Sequence, residues 1–197
     1  MESGRWGAVE TLAGDGERGV TVRMRAMDLK RFIREIPDFP VPGILFRDIT
    51  PLLGDGAAFA AVLDALERDA TAREAEAIVG IESRGFIFGA PLAVRLGLRF
   101  VPVRKPGKLP AARMSLEYAL EYGESQLDIH ADALRPGQRA YIVDDLLATG
   151  GTARAAAKLV ELVGGTVAGT GFAIELTGLD GRGKLSEYAV YSVLQYA

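Results

Sequence analysis

The stretch A-Y-I-V-D-D-L-L-A-T-G-G-T, from Ala140 to Thr152, gives the clearest indication of how this chain folds. Its first four residues form an apolar run, rich in β-branched and aromatic side chains, which predicts a buried strand. Two acids, Asp144 and Asp145, stand where this strand is expected to end. Small residues and glycines follow, and residues 153–163 have the apolar spacing of a helix. A strand, a short loop and a helix in this order predict an α/β fold with an open, mainly parallel sheet flanked by helices.

The loop between this strand and this helix has the features of a phosphate site. The first N–H groups of a helix have no partner within the helix, and the helix dipole adds partial positive charge there. Glycines let the backbone approach an anion closely, and threonine hydroxyls add hydrogen-bond donors. The residues predicted to bind a phosphate are Ala148, Thr149, Gly150, Gly151 and Thr152.

The two adjacent acids indicate which phosphate compound binds. Two carboxylates would repel a bare phosphate, whereas the 2- and 3-hydroxyls of a ribose phosphate need hydrogen-bond acceptors. Asp144 and Asp145 are therefore predicted to bind ribose while the phosphate lies in the loop. The alternative interpretation of an Asp-Asp pair is a solvated turn, which the position between an apolar strand and a glycine-rich loop disfavours.

The sequence V-D-D-L-L-A-T-G-G-T, residues 143–152, resembles the 5-phosphoribosyl 1-pyrophosphate (PRPP) motif of the type I phosphoribosyltransferases. Its A-T-G-G-T ending resembles the adenine phosphoribosyltransferase family most. The resemblance implies the type I phosphoribosyltransferase fold with a small hood segment over the ligand site. It also implies a homodimer in the cytoplasm.

Composition and charge argue against several other function classes. The chain has 197 residues, 49% of them hydrophobic and 25% charged, as expected for one globular domain. A net charge of −3 gives no basic field to attract nucleic acid or a membrane surface. No apolar run approaches the roughly 18 residues of a membrane span. The absence of cysteine excludes disulfides and thiolate chemistry, and a single histidine, His130, argues against a histidine triad or metal cluster.

Residues 1–26 differ from the rest of the chain. They contain glycine throughout and show no lasting periodicity, so we predict a disordered N-terminal extension. Residues 27–197 are predicted to form a single domain, which begins with a helix at residues 29–36 capped by Asp28. The other predicted elements are a helix at 55–69, a strand at 77–81, a helix ending near Leu96, and strands at 98–103, 125–129, 166–176 and 188–194.

Residues 37–51, P-D-F-P-V-P-G-I-L-F-R-D-I-T-P, contain four prolines, which resist regular structure. The segment is too apolar for a mere linker, so it is either a loop packed across the core or a cover over a ring-shaped ligand. It resembles the F-P-x-P-G-x-x-F-R-D-I-T-P segment that forms the hood over the base in the adenine family. The resemblance implies that the backbone of Leu45 and Arg47 reads adenine, with Phe46 close to the ring. It also implies that Leu176 stacks beneath the base.

A second anion site is predicted where the strand at 77–81 ends. Arg84 precedes Gly85 at the expected start of a helix, on the edge where open sheets bind ligands. The alternative interpretation is a surface arginine. The sequence G-x-E-S-R-G-F resembles the pyrophosphate loop of the same family. This implies that Glu82, Ser83 and Arg84 bind pyrophosphate. The family's loop can carry a non-proline cis peptide, which would lie here between Glu82 and Ser83.

The strand at 98–103 is followed by a basic segment at the same edge. Its cations are Arg104, Lys105 and Lys108, and Pro106-Gly107 makes the segment mobile. Such a charge run is commonly a solvated face. The other interpretation is that these side chains bind the pyrophosphate group of PRPP.

Residues 120–123, L-E-Y-G, resemble the family signature S-L-E-Y-G, with Ala119 in place of the serine. The resemblance implies that Glu121 is the catalytic acid–base residue. It places Tyr122 in a flexible catalytic loop, residues 104–122, which closes over the site.

Residues 178–184 match G-x-x-x-x-G-K, the pattern of a nucleotide-binding P-loop. Leu185 stands where a P-loop needs Ser or Thr for magnesium, and no strong helix pattern follows. We therefore interpret this match as a coincidence in a turn.

The resemblance covers about residues 28–197 through five separate motifs. It implies a purine salvage enzyme that converts adenine and PRPP to AMP and pyrophosphate. Mg²⁺ is the implied cofactor, carried by PRPP without direct protein ligands, and no nucleic acid or membrane partner is expected. Two alternatives stay open: a related transferase that uses hypoxanthine, guanine or xanthine, and a non-enzymatic PRPP sensor that controls transcription.

Overall fold

The computed structural model describes residues 27–119 and 124–197, and in these ranges it contains nine strands and five α-helices. The strands are β1 (Arg34–Pro37), β2 (Leu45–Asp48), β3 (Ala77–Ile81), β4 (Arg99–Val103), β5 (Arg113–Ala119), β6 (Glu124–His130), β7 (Arg139–Leu147), β8 (Thr166–Leu176) and β9 (Val190–Tyr196). The α-helices are α1 (Thr50–Gly54), α2 (Gly56–Ala72), α3 (Gly85–Leu96), α4 (Gly151–Leu162) and α5 (Gly181–Lys184). Two short 3₁₀ helices lie at Leu29–Phe32 and Thr177–Leu179.

Five parallel strands form the central sheet, in the order β4-β3-β7-β8-β9. On β7, Tyr141 and Val143 pack with residues of α2 and α3, whereas Ala140 and Ile142 pack with residues of α4. Both faces of the strand are therefore covered, which explains why its sequence is a continuous apolar run. This arrangement confirms the predicted α/β fold with an open parallel sheet flanked by helices.

Several predicted elements are found at or near their expected bounds. Strands β3 and β8 begin and end at the predicted residues, and the predicted helix at 55–69 is α2. The side chain of Asp55 caps α2 by accepting hydrogen bonds from the amides of Ala57 and Ala58. Helix α3 ends at Leu96, where Gly97 adopts the left-handed conformation with φ 64°. None of the helices within the two described ranges has the length and apolarity needed to cross a membrane.

The predicted helix at 29–36 is wrong. Asp28 does cap a helical turn by accepting from the Lys30 amide, but the turn is a 3₁₀ helix that ends at Phe32. Strand β1 follows and pairs antiparallel with β2, and β2 lies inside the segment whose prolines were expected to resist regular structure. Proline disfavours the helical conformation in the residue before it, so Pro37 favours an extended Ile36. Ile36 then pairs with Phe46 across the two strands.

Strand β7 is longer than predicted. It was expected to end before Asp144, but it continues through both acids to Leu147. The reason is its neighbour β8, whose eleven residues offer pairing partners as far as Glu175. The two acids thus lie in a strand that stays paired with β8 beyond the end of β3, rather than in a free turn.

Strand β5 lies inside the segment predicted as a flexible loop, residues 104–122. It pairs antiparallel with β6, from Arg113 opposite His130 onward. Its apolar residues Met114, Leu116 and Tyr118 alternate with polar ones, which is the pattern of a strand with one covered face. A regular strand therefore occupies part of the predicted loop, and residues 120–123 lie outside the described ranges.

Candidate active site

The carboxyl ends of β3, β7 and β8 bring the predicted site segments to one edge of the sheet. β3 leads into residues 82–85, β7 into residues 148–151, and β8 into residues 177–181. Because parallel neighbours end at the same edge, segments that are distant in sequence lie close together. Gly80 pairs with Val143 across β3 and β7, which sets the two predicted anion sites side by side.

Residues 148–152 form the turn from β7 into α4. We call this turn the phosphate loop. Gly150 occupies the N-cap position with a left-handed φ of 78°, and glycine has no side chain with which to cap the helix. The first N–H groups of α4 are therefore available to an anion at this end of the dipole. The hydroxyl of Tyr118 lies 3.2 Å from Oγ1 of Thr152 and links the β5–β6 hairpin to the loop.

Asp144 and Asp145 lie just before the phosphate loop, and Arg84 from the β3–α3 turn reaches them. Nε of Arg84 is 2.7 Å from Oδ2 of Asp145, whose side chain is almost fully buried. Oδ1 of Asp144 accepts a 2.9 Å hydrogen bond from the Asp145 amide. A Cβ on Gly85 would lie 2.7 Å from the carbonyl oxygen of Val143, so a residue without one lets α3 begin against this strand. One predicted ribose acid, Asp145, is thus in direct contact with Arg84, which is predicted to bind pyrophosphate.

The crowding of the two acids changes their protonation. Burial, reinforced by the negative charge of Asp145, raises the pKa of Asp144 well above its usual range. Burial also raises the pKa of Asp145, although the charge of Arg84 opposes the increase. A ligand that donates hydrogen bonds to these carboxylates, or brings positive charge near them, favours their ionised form.

Glu82 contacts the basic residues that are predicted to bind pyrophosphate. Its carboxylate accepts hydrogen bonds from Nε of Arg104 at 3.2 Å and from the Lys105 amide at 3.0 Å, and Nζ of Lys108 is 3.9 Å away. Burial by itself raises the pKa of Glu82, but these hydrogen bonds and charges more than offset it, so the pKa is lowered. Glu82 is therefore an ionised carboxylate that orients these cations, and its role in binding pyrophosphate stays a prediction.

Ser83 and Arg84 have exposed side chains at the turn. The peptide between Glu82 and Ser83 is cis, which settles a point that the sequence left open.

The predicted hood segment, residues 37–51, contains β2, which pairs with β1, and its side chains contact both the site and the C-terminal strand β9. The ring of Phe46 packs edge-to-face on Phe39 at 5.1 Å, and the guanidinium of Arg84 lies 5.9 Å from its centre. Arg47 forms an ion pair with Glu35, and its guanidinium lies 4.2 Å over the ring of Tyr196. Leu45 on β2 is exposed.

Tyr196 contacts the hood segment, although the sequence analysis did not single it out. It pairs with Leu176 at the ends of β9 and β8, so it connects the strand predicted to support the base with the hood. Nζ of Lys30 lies 4.9 Å from the centre of the same ring. Its only sequence signal is an aromatic residue at the end of an edge strand.

The predicted catalytic residues Glu121 and Tyr122 lie outside the described residues. Across residues 27–119 and 124–197, no group of three His, Asp or Glu side chains is arranged to hold a metal ion.

Comparison with known proteins gives a consistent result. Residues 55–194 match the model of the phosphoribosyl transferase domain family. The adenine phosphoribosyltransferase of Chloroflexus aurantiacus is 57% identical over 173 residues, which cover 88% of this chain and 100% of the relative. The enzyme of the same name from a Synechococcus strain is 59% identical over 170 residues, covering 86% of this chain and 99% of the relative.

Solved structures agree. The crystal structure of adenine phosphoribosyltransferase from Thermoanaerobacter pseudethanolicus is similar with a TM-score of 0.83 at 56% identity, covering 85% of this chain and 98% of that one. The Saccharomyces cerevisiae enzyme, solved with adenine and an imino-altritol bisphosphate, gives a TM-score of 0.78 at 42% identity, covering 83% and 95% of the two chains.

Proposed function

The chain belongs to the adenine phosphoribosyltransferase family, and we propose how its residues convert adenine and PRPP to AMP and pyrophosphate in purine salvage. The observation that carries the proposal is the convergence of the phosphate loop, the two acids and Arg84 at one sheet edge. A phosphate loop beside hydroxyl acceptors and a cation matches the three charged or polar parts of PRPP.

PRPP binds with its 5-phosphate on residues 148–152 and its ribose hydroxyls on Asp144 and Asp145. In the free protein Arg84 neutralises Asp145. We infer that the ribose hydroxyls replace this contact as donors to the carboxylate, which releases Arg84 toward the pyrophosphate. The exchange keeps a buried charge satisfied at each stage.

The pyrophosphate lies between Arg84 and the cations held by Glu82. Arg104 donates both to Glu82 and, through Nη1, to the carbonyl oxygen of Lys108 at 3.2 Å, so the basic segment is folded back on itself. Ser83 faces the same edge. Mg²⁺ carried by PRPP, without direct protein ligands, would neutralise the pyrophosphate leaving group.

Transfer breaks the bond between C1 of the ribose and the pyrophosphate oxygen, and forms a bond between C1 and N9 of adenine. Positive charge develops on the ribose as the first bond loosens, and the ionised Asp144 and Asp145 lie beside it. N9 loses its proton during the attack, and Glu121 takes or buffers that proton as general base. Tyr122 belongs to the loop that closes over the site and excludes water, which would otherwise hydrolyse PRPP.

Adenine lies between the hood and the end of β8. The backbone of Leu45 and Arg47 reads its edge, Phe46 covers one face, and Leu176 lies under the other. The stack of Arg47 on Tyr196 supports this proposal because it fixes β2 relative to the end of β8. A cytoplasmic homodimer stays a prediction from the family resemblance.

The test is AMP formation from adenine, PRPP and Mg²⁺, with hypoxanthine and guanine in parallel and a protein-free mixture as control. We expect product from adenine alone. Product from another base would keep the PRPP site and overturn the adenine-reading hood. PRPP binding without product from any base would instead favour a PRPP sensor.

A further inference from the structure

We propose that Glu175 and Arg182 are positioning residues for the phosphate loop, and that they act on it through Gly181. The inference rests on the proposed function, because it takes residues 148–152 to be the site of the 5-phosphate. It gives a role to residues 178–184, whose P-loop-like pattern belongs to no nucleotide site of its own.

Arg182 is fixed by bonds from every nitrogen of its guanidinium. Nε and Nη2 donate to the two oxygens of Glu175 at 2.6 and 2.7 Å, a two-pronged pairing that sets both distance and angle. Nη1 donates to the carbonyl oxygen of Val190 at 2.9 Å, and Nη2 also donates to Ser192. These bonds tie α5, which carries Arg182, to the end of β8 and the start of β9.

Glu175 is the buried centre of this network. It lies one residue before the end of β8, and its side chain is almost fully shielded from water. Ser192 and Gln195 on β9 donate further hydrogen bonds to the same carboxylate. A buried carboxylate with four donor contacts holds its partners in one geometry, because any displacement leaves a buried charge unsatisfied.

Gly181, next to Arg182, is in direct backbone contact with the phosphate loop. A Cβ on Gly150 would lie 2.5 Å from the carbonyl oxygen of Gly181. A Cβ on Gly181 would in turn collide with the carbonyl oxygen of Ala148 and lie 2.8 Å from Cδ1 of Leu147. The two glycines therefore bring the backbones of the loop and of α5 within van der Waals distance, with no side chain between them.

The far end of α5 is anchored as well. Leu185 is completely buried and packs with Leu147, Ala153 and Phe172, which belong to β7, α4 and β8. Residues 181–185 thus contact the strand that enters the phosphate loop and the helix that leaves it. The segment forms one wall of the loop, and the Glu175–Arg182 pair holds that wall in place.

The wall matters because the loop is built from small residues. Ala148, Gly150 and Gly151 have little side-chain packing of their own, so the loop gains its shape from its neighbours. When the loop already has its binding conformation before the anion arrives, no binding free energy is lost in ordering the loop. Arg182 itself has all its nitrogens bonded to Glu175, Ser192 and Val190, so it acts on the ligand through Gly181 rather than by touching phosphate.

The test compares AMP and adenosine, which differ only by the 5-phosphate, as ligands of the full chain. We expect Arg182→Met to weaken AMP binding about tenfold. This is the loss that results if the phosphate loop of the variant is correctly formed in about a tenth of the molecules. Adenosine affinity is expected to stay unchanged, because adenosine does not use the loop. Arg182→Lys keeps the charge but loses the two-pronged pairing, and is expected to weaken AMP binding by a smaller factor.

Arg95→Met is the matched control. Arg95 also pairs with acids, Asp64 at 2.6 Å and Glu67 at 3.3 Å, but it lies in the last turn of α3, away from the loop. It should leave the affinities for AMP and adenosine unchanged. Should Arg182→Met fail to fold, the same two affinities are measured for Arg182→Lys.

The outcomes separate the two proposals. An AMP-to-adenosine affinity ratio in Arg182→Met and Arg182→Lys equal to that of the unaltered protein would overturn the positioning role. Equal losses for both ligands would also overturn it, since they indicate general destabilisation. If the unaltered protein itself binds AMP no better than adenosine, residues 148–152 are no phosphate site, and the proposed function fails at that point instead.

Discussion

Replacing Gly150 by alanine perturbs the contact on which the phosphate loop depends. Gly150 has a φ of +78°, and an added Cβ would lie 2.5 Å from the carbonyl oxygen of Gly181 and 3.2 Å from its Cα. The left-handed conformation costs a non-glycine residue about 1 kcal/mol, at the lower end of the usual range. The clash is with backbone rather than with a flexible side chain, so one segment must move, at a cost of about 1–3 kcal/mol. Together the two effects lower the free energy of unfolding by about 3 kcal/mol.

Gly137→Ala is the control that isolates the close contact. Gly137 has nearly the same φ, +73°, but nothing lies within 4 Å of a Cβ built on it. It lies before β7, at the opposite edge of the sheet from the phosphate loop. This variant therefore carries the conformational cost alone, about 1 kcal/mol.

Thermal unfolding and PRPP kinetics measure the difference. For a chain of this length each kcal/mol lowers Tm by about 2–4 °C, so we expect a decrease of about 6–12 °C for Gly150→Ala and about 2–4 °C for Gly137→Ala. We expect the KM for PRPP to rise about tenfold or more in the first variant, because the displaced loop is seldom competent to bind, and to stay unchanged in the second. Equal Tm decreases and equal KM values in the two variants would refute the structural role given to the contact with Gly181.

Three further predictions concern other parts of the site. Glu121→Leu should reduce kcat far more than PRPP affinity, because we propose that Glu121 takes part in proton transfer. Steady-state kinetics measures both quantities, and an unchanged kcat would show that Glu121 has no part in catalysis. Tyr196→Leu removes the ring beneath Arg47 and with it a cation–π interaction of about 1 kcal/mol. We expect the KM for adenine to rise about fivefold and the KM for PRPP to stay unchanged. An unchanged KM for adenine would contradict the proposed support of the hood by Tyr196. Adenosine affinity should fall with decreasing pH, because Asp144 has a raised pKa and loses its charge when it takes up a proton. Calorimetric titration with adenosine should show a weaker pH dependence for Asp144→Asn than for the unaltered protein. An identical pH profile in the two proteins would exclude Asp144 as the titrating hydrogen-bond acceptor.

The same raised pKa has a consequence for stability, with a definite sign. The folded protein binds a proton at Asp144 more tightly than the unfolded chain, whose aspartates have ordinary pKa values near 3.8. The free energy of unfolding contributed by this residue therefore falls as pH rises from that ordinary value through the raised one. Asp144 thus favours ribose binding in its ionised form at a cost to the stability of the free protein.

Most of the fold was predictable because the buried strands and the amphipathic helices have strong periodic patterns. Strands β3 and β8 are apolar over nearly their whole length, and their bounds followed from sequence. The first predicted helix failed because its apolar spacing is that of a helix, while pairing of Ile36 with Phe46 favours a strand. Local patterns do not contain such long-range pairing, so tertiary contacts override them.

The class of the fold and the candidate phosphate loop could both be predicted from the sequence, because an apolar strand, two acids and a glycine-rich helix start are contiguous and need no distant partner. Three contacts could be seen only in the tertiary structure. They are the ion pair of Arg84 with Asp145, the hydrogen bond of Arg104 to Glu82, and the pairing of Arg182 with Glu175. Each of these pairs joins residues that are separated in sequence and lie on different elements. The register of neighbouring parallel strands brings them together, and that register follows from packing of the whole sheet rather than from any single segment.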